Sequence, residues 1–177
     1  MTYPQNIESK IDFQVIRDSL KGCCTSSLGK EKVEQMQWQT DYSSIQMQLQ
    51  YLREMMAVHT DPILSFPHGE IYDLREALSR IRIEGLFLDE AELFSLSKLL
   101  DYAAQLERFF ATLDKVKYPL LSSNLIASSP NSLIALIERI LDRYGKMRDN
   151  ASPELARIRK EISASQGAVR RTLHAIL

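Results

Sequence analysis

Apolar side chains recur every three or four residues along most of the chain, the period of helices that turn one face inward. Phe13, Ile16 and Leu20 follow Asp12, a candidate N-cap, and Gly22 closes that segment. A short helix is predicted from about Ser27 to Met36. Between Asp41 and His59, Ile45, Leu49, Leu52 and Met56 line one face, with Gln46, Gln48, Gln50 and Arg53 largely off it. Thr60-Asp61-Pro62 breaks this helix, and the stretch to Gly69 reads as loop. Ile71 to Ile81 is predicted as the next helix, with Leu74, Leu78 and Ile81 on one face, and Gly85 ends it. Asp89 and Glu92 form a capping-box pair at the head of a long helix. Its stripe of Leu93, Leu96, Leu100, Ala103, Leu106, Phe110 and Leu113 is ~30 Å long at about 1.5 Å per residue. Tyr118-Pro119 closes it. A further helix spans about Asn131 to Leu141, with Leu133, Leu136, Ile137 and Ile140 predicted buried.

The texture then changes. Asp142-Arg143-Tyr144-Gly145-Lys146-Met147-Arg148-Asp149 lacks a helical period and reads as a small hairpin or turn. Ser152-Pro153 opens the last helix in the expected order, serine as N-cap and proline in the first turn. Leu155, Ile158, Ile162, Ser165, Val169, Leu173 and Ile176 recur at coiled-coil spacing, with one small polar gap. The pattern is still running at Leu177, with no capping residue, and the helix reads as cut. The fold class expected is all-α. It is a bundle of about six helices with a small hairpin or irregular element and a protruding, truncated coiled-coil helix at the C-terminus.

Composition narrows the functional classes. Of 177 residues, 45% are hydrophobic and 25% charged, an ordinary globular balance. Six Gly and six Pro are too few for a many-turned β-sandwich or barrel. No apolar run approaches the ~20 residues of a membrane span, and Met1–Asn6 has no signal-peptide shape. The location expected is cytoplasmic, with no membrane partner. The 22 Lys and Arg against 23 Asp and Glu exclude a uniformly basic nucleic-acid binder. The charge is nevertheless uneven. Residues 1–137 carry 13 basic and 18 acidic side chains, net −5, whereas residues 138–177 carry 9 and 5, net +4. Arg157, Arg159, Lys160, Arg170 and Arg171 decorate the last helix. They read either as a polyanion contact surface or as solvated charge flanking a coiled-coil seam.

Other chemistry finds little support. Cys23 and Cys24 are adjacent, cannot build a disulfide framework, and read as reduced thiols near a helix end. Gly22 through Gly29-Lys30 has the wrong spacing for a phosphate loop, and Glu31 stands where a Mg²⁺-binding hydroxyl belongs. His59, Asp61, His68 and Glu70 follow no known metal-ligand spacing, and His174 has no acid partner near in sequence. Asp89, Glu90 and Glu92 suit the first turn of a helix better than an acid–base pair. Trp38 is a packing anchor or a stacking platform for a base. No catalytic, cofactor-binding or metal-binding residue is assigned.

Specific words in the sequence add a resemblance. Asp149-Asn150-Ala151-Ser152-Pro153-Glu154-Leu155-Ala156-Arg157-Ile158-Arg159 resembles the Asp-x-Ala-Ser-Pro-x-Leu-x-x-Ile-Arg segment that opens the clamp helix of the MutS-II family, the bacterial MutS paralogues associated with recombination suppression. Phe13–Leu20 followed by Thr25-Ser26-Ser27-Leu28-Gly29-Lys30 resembles the family's opening helices. Tyr72-Asp73-Leu74-Arg75-Glu76-Ala77-Leu78 resembles its Asp-(Ile/Leu)-Arg-x-x-Leu element. Leu88-Asp89-Glu90-Ala91-Glu92-Leu93 resembles its Leu-Ser-Pro-Glu-Glu-Leu helix start without the proline.

The resemblance implies residues 1–150 as a helical core and lever domain and residues 151–177 as the first part of the clamp helix. It implies a longer protein that binds structured DNA, suppresses homologous recombination, is tied to the rescue of stalled ribosomes, and dimerises through an ATPase domain. ATP, Mg²⁺ and endonuclease activity would belong to domains outside these residues, so this chain would be non-catalytic and hold no cofactor. The alternative from a different class is a free-standing all-α interaction module that pairs through its C-terminal helix.

Overall fold

The computed structural model describes residues 7–123 and 131–176, apart from the side chains of Asn131, Arg170 and residues 172–176. Among the described residues the structure is helical, and its one piece of β pairing is an isolated bridge. Six helices have eight residues or more: α2 (Phe13–Cys23), α3 (Ser27–Glu34), α4 (Tyr42–Thr60), α6 (Glu90–Thr112), α8 (Asn131–Ile140) and α9 (Pro153–Ile176). Three shorter ones are α1 (Ile7–Lys10), α5 (Arg75–Arg80) and α7 (Pro119–Ser123). The all-α class and the number of substantial helices are as the periodicity predicts. Contacts divide the chain into two compact units, one of Met1–Glu76 and Lys98–Ser129, the other of Ala77–Ser97 and Pro130–Leu177. The chain passes from one to the other within α5, α6 and the segment before α8.

The first unit is built on α4, α7 and the later turns of α6. Val58, Leu113, Tyr118 and Leu121 are buried together, with Tyr51, Met55, Phe66, Phe109 and Phe110 packed around them. Edge-to-face contacts link His59 to Phe66, Phe66 to Phe109, and Phe109 to Phe110 at centroid distances of 5.1, 5.3 and 5.7 Å. The buried face of α4 is therefore Tyr51, Glu54, Met55 and Val58. The predicted face of Ile45, Leu49, Leu52 and Met56 lies elsewhere on the helix, with Leu52 56% and Met56 59% exposed.

Local capping mostly agrees with the sequence. Ser26 and Asp41 accept the backbone N–H of Gly29 and Ser44. The Asp89–Glu92 capping box is complete, each carboxylate accepting the other residue's backbone N–H at 2.8 and 3.0 Å. Asp12 is a correction. It precedes α2 as expected but sits in the left-handed region at φ 52° and makes no side-chain cap, because it joins α1 to α2. Ile71–Ile81 is also corrected. The helix is only Arg75–Arg80, because Asp73 folds back to accept the Arg75 N–H at 3.2 Å and starts it there.

In the second unit, Ile137 and Leu141 are buried, but Leu133 and Leu136 are 37% and 52% exposed, against the expectation for that face. Residues 141–148 form the small hairpin. Leu141 bridges Met147, and the Asp142 N–H donates to the Lys146 carbonyl at 2.8 Å. Gly145 takes φ 79° there, and Phe94 packs where a Cβ would stand. No helix among the described residues is long and apolar enough to cross a membrane.

Candidate nucleic-acid interface

The basic helix α9 is held at its start by side chains from several elements of the second unit. Ser152 Oγ accepts the Leu155 N–H at 3.1 Å, and Pro153 occupies the first turn, where its missing N–H costs nothing. The hairpin before it is closed by Asp142, whose Oδ1 accepts the Tyr144 and Lys146 N–H groups at 2.8 and 2.9 Å. Those backbone donors hold the Asp142 carboxyl below its ordinary range. Glu90, in the first turn of α6, accepts the Met147 N–H. Arg148 Nε donates to the Leu141 carbonyl at 2.8 Å. The 138–177 excess of positive charge is thus partly spent on building the turn.

The five cations singled out on the last helix are not equivalent. Arg157 lies between Glu154 and Glu161, with Nη1 2.8 Å from the Glu161 carboxylate, one turn along the helix. Arg159 pairs with Asp149 and donates to the Met147 carbonyl at 3.3 Å, tying α9 back to the hairpin. Lys160 is exposed, and Arg171, also exposed, donates Nε to the Gly167 carbonyl at 3.3 Å. The Arg170 side chain lies outside the described residues. Eleven residues separate Lys160 from Arg171, three turns of about 3.6 residues, so both sit along one line of the helix. The seam residues Ile158, Ile162 and Val169 are 40%, 51% and 59% exposed on another face. The side chains of Leu173 and Ile176 are outside the description. A helix presenting Lys160 and Arg171 can meet phosphates, while Arg157 and Arg159 already have carboxylate partners. Sequence reading missed the anchoring role of Arg159. Asp149, ten residues before it, carries the only local signal, and a loop-to-helix ion pair has no fixed spacing.

The remaining candidates resolve into structure. Asp61 accepts Lys117 Nζ at 2.8 Å and the Ile63 N–H at 3.0 Å, Glu70 accepts the Tyr72 hydroxyl, and His59 packs on Phe66. No cluster able to hold a metal ion occurs among the described residues. Cys23 is exposed, and Cys24 Sγ donates to the Leu20 carbonyl at 3.3 Å. Gly22 lies inside α2, and Glu31 is engaged by Arg75 at 2.6 Å, which holds its carboxyl low. These residues do not fit a nucleotide phosphate. Trp38 is 54% exposed and lines a cleft of about 270 Å³ with Glu8, Phe13, Met36, Gln37 and Gln39.

Comparison with known proteins supplies what the geometry alone does not. The chain is 33% identical over 186 aligned positions to the endonuclease MutS2 of Bacillus velezensis, covering 98% of this chain and 22% of the relative. The chain is similar to MutS2 proteins throughout. The endonuclease MutS2 of Alkaliphilus oremlandii is 31% identical over 94% of this chain and 21% of its own length, and that of a Geobacillus species 29% over the same shares. The chain therefore spans about a fifth of the length of the curated relatives it matches. No family model matches it, and no solved structure does. The MutS2 relatives bear the name endonuclease.

Proposed function

We propose that this chain is the N-terminal, non-catalytic core and lever part of a MutS2-like DNA-binding ATPase that acts on structured DNA and suppresses homologous recombination. Stalled ribosomes are a second substrate in this reading. Residues 151–177 are the first part of the clamp helix, and ATP, Mg²⁺, endonuclease chemistry and dimerisation through the ATPase domain belong to the rest of the cytoplasmic protein. The observation that carries the reading is the alignment with MutS2 relatives along 94–98% of this chain and only about a fifth of theirs.

A mechanical role is supported by how α9 is anchored. Arg159 joins it to Asp149, and Glu90 joins the hairpin to the first turn of α6, a helix of 23 residues that contributes to both units. Movement of the clamp helix would then be passed to α6 through the hairpin. Inserting a flexible Gly-Ser segment at the position matching Asp149 in a full-length MutS2 relative tests this. The expected result is loss of the coupling between ATP and DNA binding; unchanged coupling overturns the lever role.

A further inference from the structure

The hairpin of the second unit presents three side chains that its own folding does not need. Asp142 and Gly145 make the turn. The Gly145 N–H donates to the Asp142 carbonyl at 3.0 Å, and Asp142 Oδ1 accepts the Tyr144 and Lys146 N–H groups. Gly145 supplies the left-handed residue that closes a three-residue loop. Helix α6 holds the turn in place, with Phe94 packed on Gly145 and Glu90 accepting the Met147 N–H. Arg143, Tyr144 and Lys146 give this framework only their backbone groups. All three are exposed, Tyr144 by 68%.

Their chemistry suits one class of partner. The Arg143 guanidinium lies 4.7 Å from the centre of the Tyr144 ring and donates Nη2 to its hydroxyl at 2.6 Å, so a planar cation and an aromatic ring are offered together. Between Arg139 and Arg148 the one acid is Asp142, and its carboxylate is turned onto the backbone of the loop. Among the described residues the ion pairs of this unit run through Arg80, Arg157 and Arg159, and none takes up Arg143 or Lys146. Unpaired bases stack on exposed rings whatever their identity, and the phosphates beside them attract uncompensated cations. A turn already fixed by its own hydrogen bonds offers this platform with little ordering cost on binding.

We propose that the hairpin tip is a contact for an unpaired DNA strand, in which a base stacks on Tyr144 while Arg143 and Lys146 meet the neighbouring phosphates. The proposal rests on the DNA-binding reading above and adds to it a site apart from the Lys160–Arg171 line of α9. Fluorescence anisotropy of a labelled oligothymidylate of about 12 nucleotides, titrated with the 177-residue chain across a low-salt series, tests it. Tyr144→Ala should weaken binding about tenfold, and Tyr144→Phe, which keeps the ring, should bind as the wild type does. Arg143→Ala and Lys146→Ala should each lower the salt slope by about 0.7, the single-strand value for one phosphate. Tyr42→Ala, an equally exposed tyrosine in the other unit, should change nothing. Because the three hairpin side chains are exposed, helicity by circular dichroism should be the same in every variant. Binding by Tyr144→Ala at wild-type strength overturns the hairpin site and leaves the DNA reading standing. A Tyr144→Phe chain as weak as Tyr144→Ala, unaltered salt slopes, or a wild-type chain that holds no oligonucleotide would also overturn it, whereas the DNA reading itself is judged by the coupling experiment on the full-length relative.

Discussion

The buried carboxylate of Glu54, on α4, accepts the backbone N–H of Leu120, 66 residues further along the chain, at 3.0 Å. Its Oε2 also accepts the Leu121 N–H at 3.0 Å, and Oε1 accepts Gln50 Nε2 at 3.1 Å. Proline at the head of α7 has no N–H, so Glu54 satisfies the next two donors of that five-residue helix. A helix too short to hold itself is thereby fixed beneath the core formed by Val58, Tyr118 and Leu121.

Glu54→Ala should therefore destabilise the first unit by about 1–3 kcal/mol, the cost of leaving buried donors unpaired. Glu54→Gln keeps one acceptor oxygen and should lose less. Urea unfolding followed by circular dichroism measures both, and equal losses would show that the carboxylate charge rather than its hydrogen bonds matters.

Stability should fall in acid. Lys117 and the Ile63 N–H hold Asp61 below its ordinary value of 3.8, and Arg75 lowers Asp73 to about 2. A carboxyl group whose folded pKa is depressed contributes stability above its unfolded pKa and loses it as pH falls through the folded one. The melting temperature should be flat above pH ~5 and decline from about pH 4 down to about pH 2. Asp61→Asn should flatten part of that decline; an unaltered profile would remove Asp61 from the account.

Glycine substitutions should divide sharply. At Gly145, φ is 79° and an added Cβ would come within 2.6 Å of the Phe94 ring, so Gly145→Ala should loosen the hairpin and the start of α9. Gly22 lies inside α2 with nothing within 4 Å of an added Cβ, so Gly22→Ala should stabilise by roughly 0.5–1 kcal/mol. Thermal melts of the two variants should shift in opposite directions.

The basic helix should show the same division of labour. Replacing Lys160 or Arg171 by Ala should lower the salt slope of any DNA binding by about 1 each. Arg159→Ala should instead lower stability with little change in slope, since its guanidinium is held by Asp149 and the Met147 carbonyl. Binding of the chain to duplex and branched DNA across a salt series, weak in the expected case, separates the two classes. A slope that drops for Arg159→Ala as much as for Lys160→Ala would place Arg159 among the phosphate contacts.

Features made by neighbours in sequence were legible in advance. The Asp89–Glu92 box, the Ser152-Pro153 helix start and the turn around Gly145 depend on residues within a few positions of each other, and the structure builds them as read. Asp12 misled because a left-handed residue between two helices looks like an N-cap in sequence. The short helix α7 was not visible, because its cap comes from α4 rather than from Tyr118 or its neighbours.

By itself the chain determined its all-α class, its main helices, its uneven charge and its likeness to MutS-II segments, since periodicity, capping and sequence words are local. Tertiary structure decided which stripe of α4 is buried and what Arg159 holds. Both Ile45–Met56 and Tyr51–Val58 have helical spacing, and choosing between them requires Leu113, Tyr118 and Leu121 from far along the chain. Burial belongs to two surfaces at once, and a period describes only one.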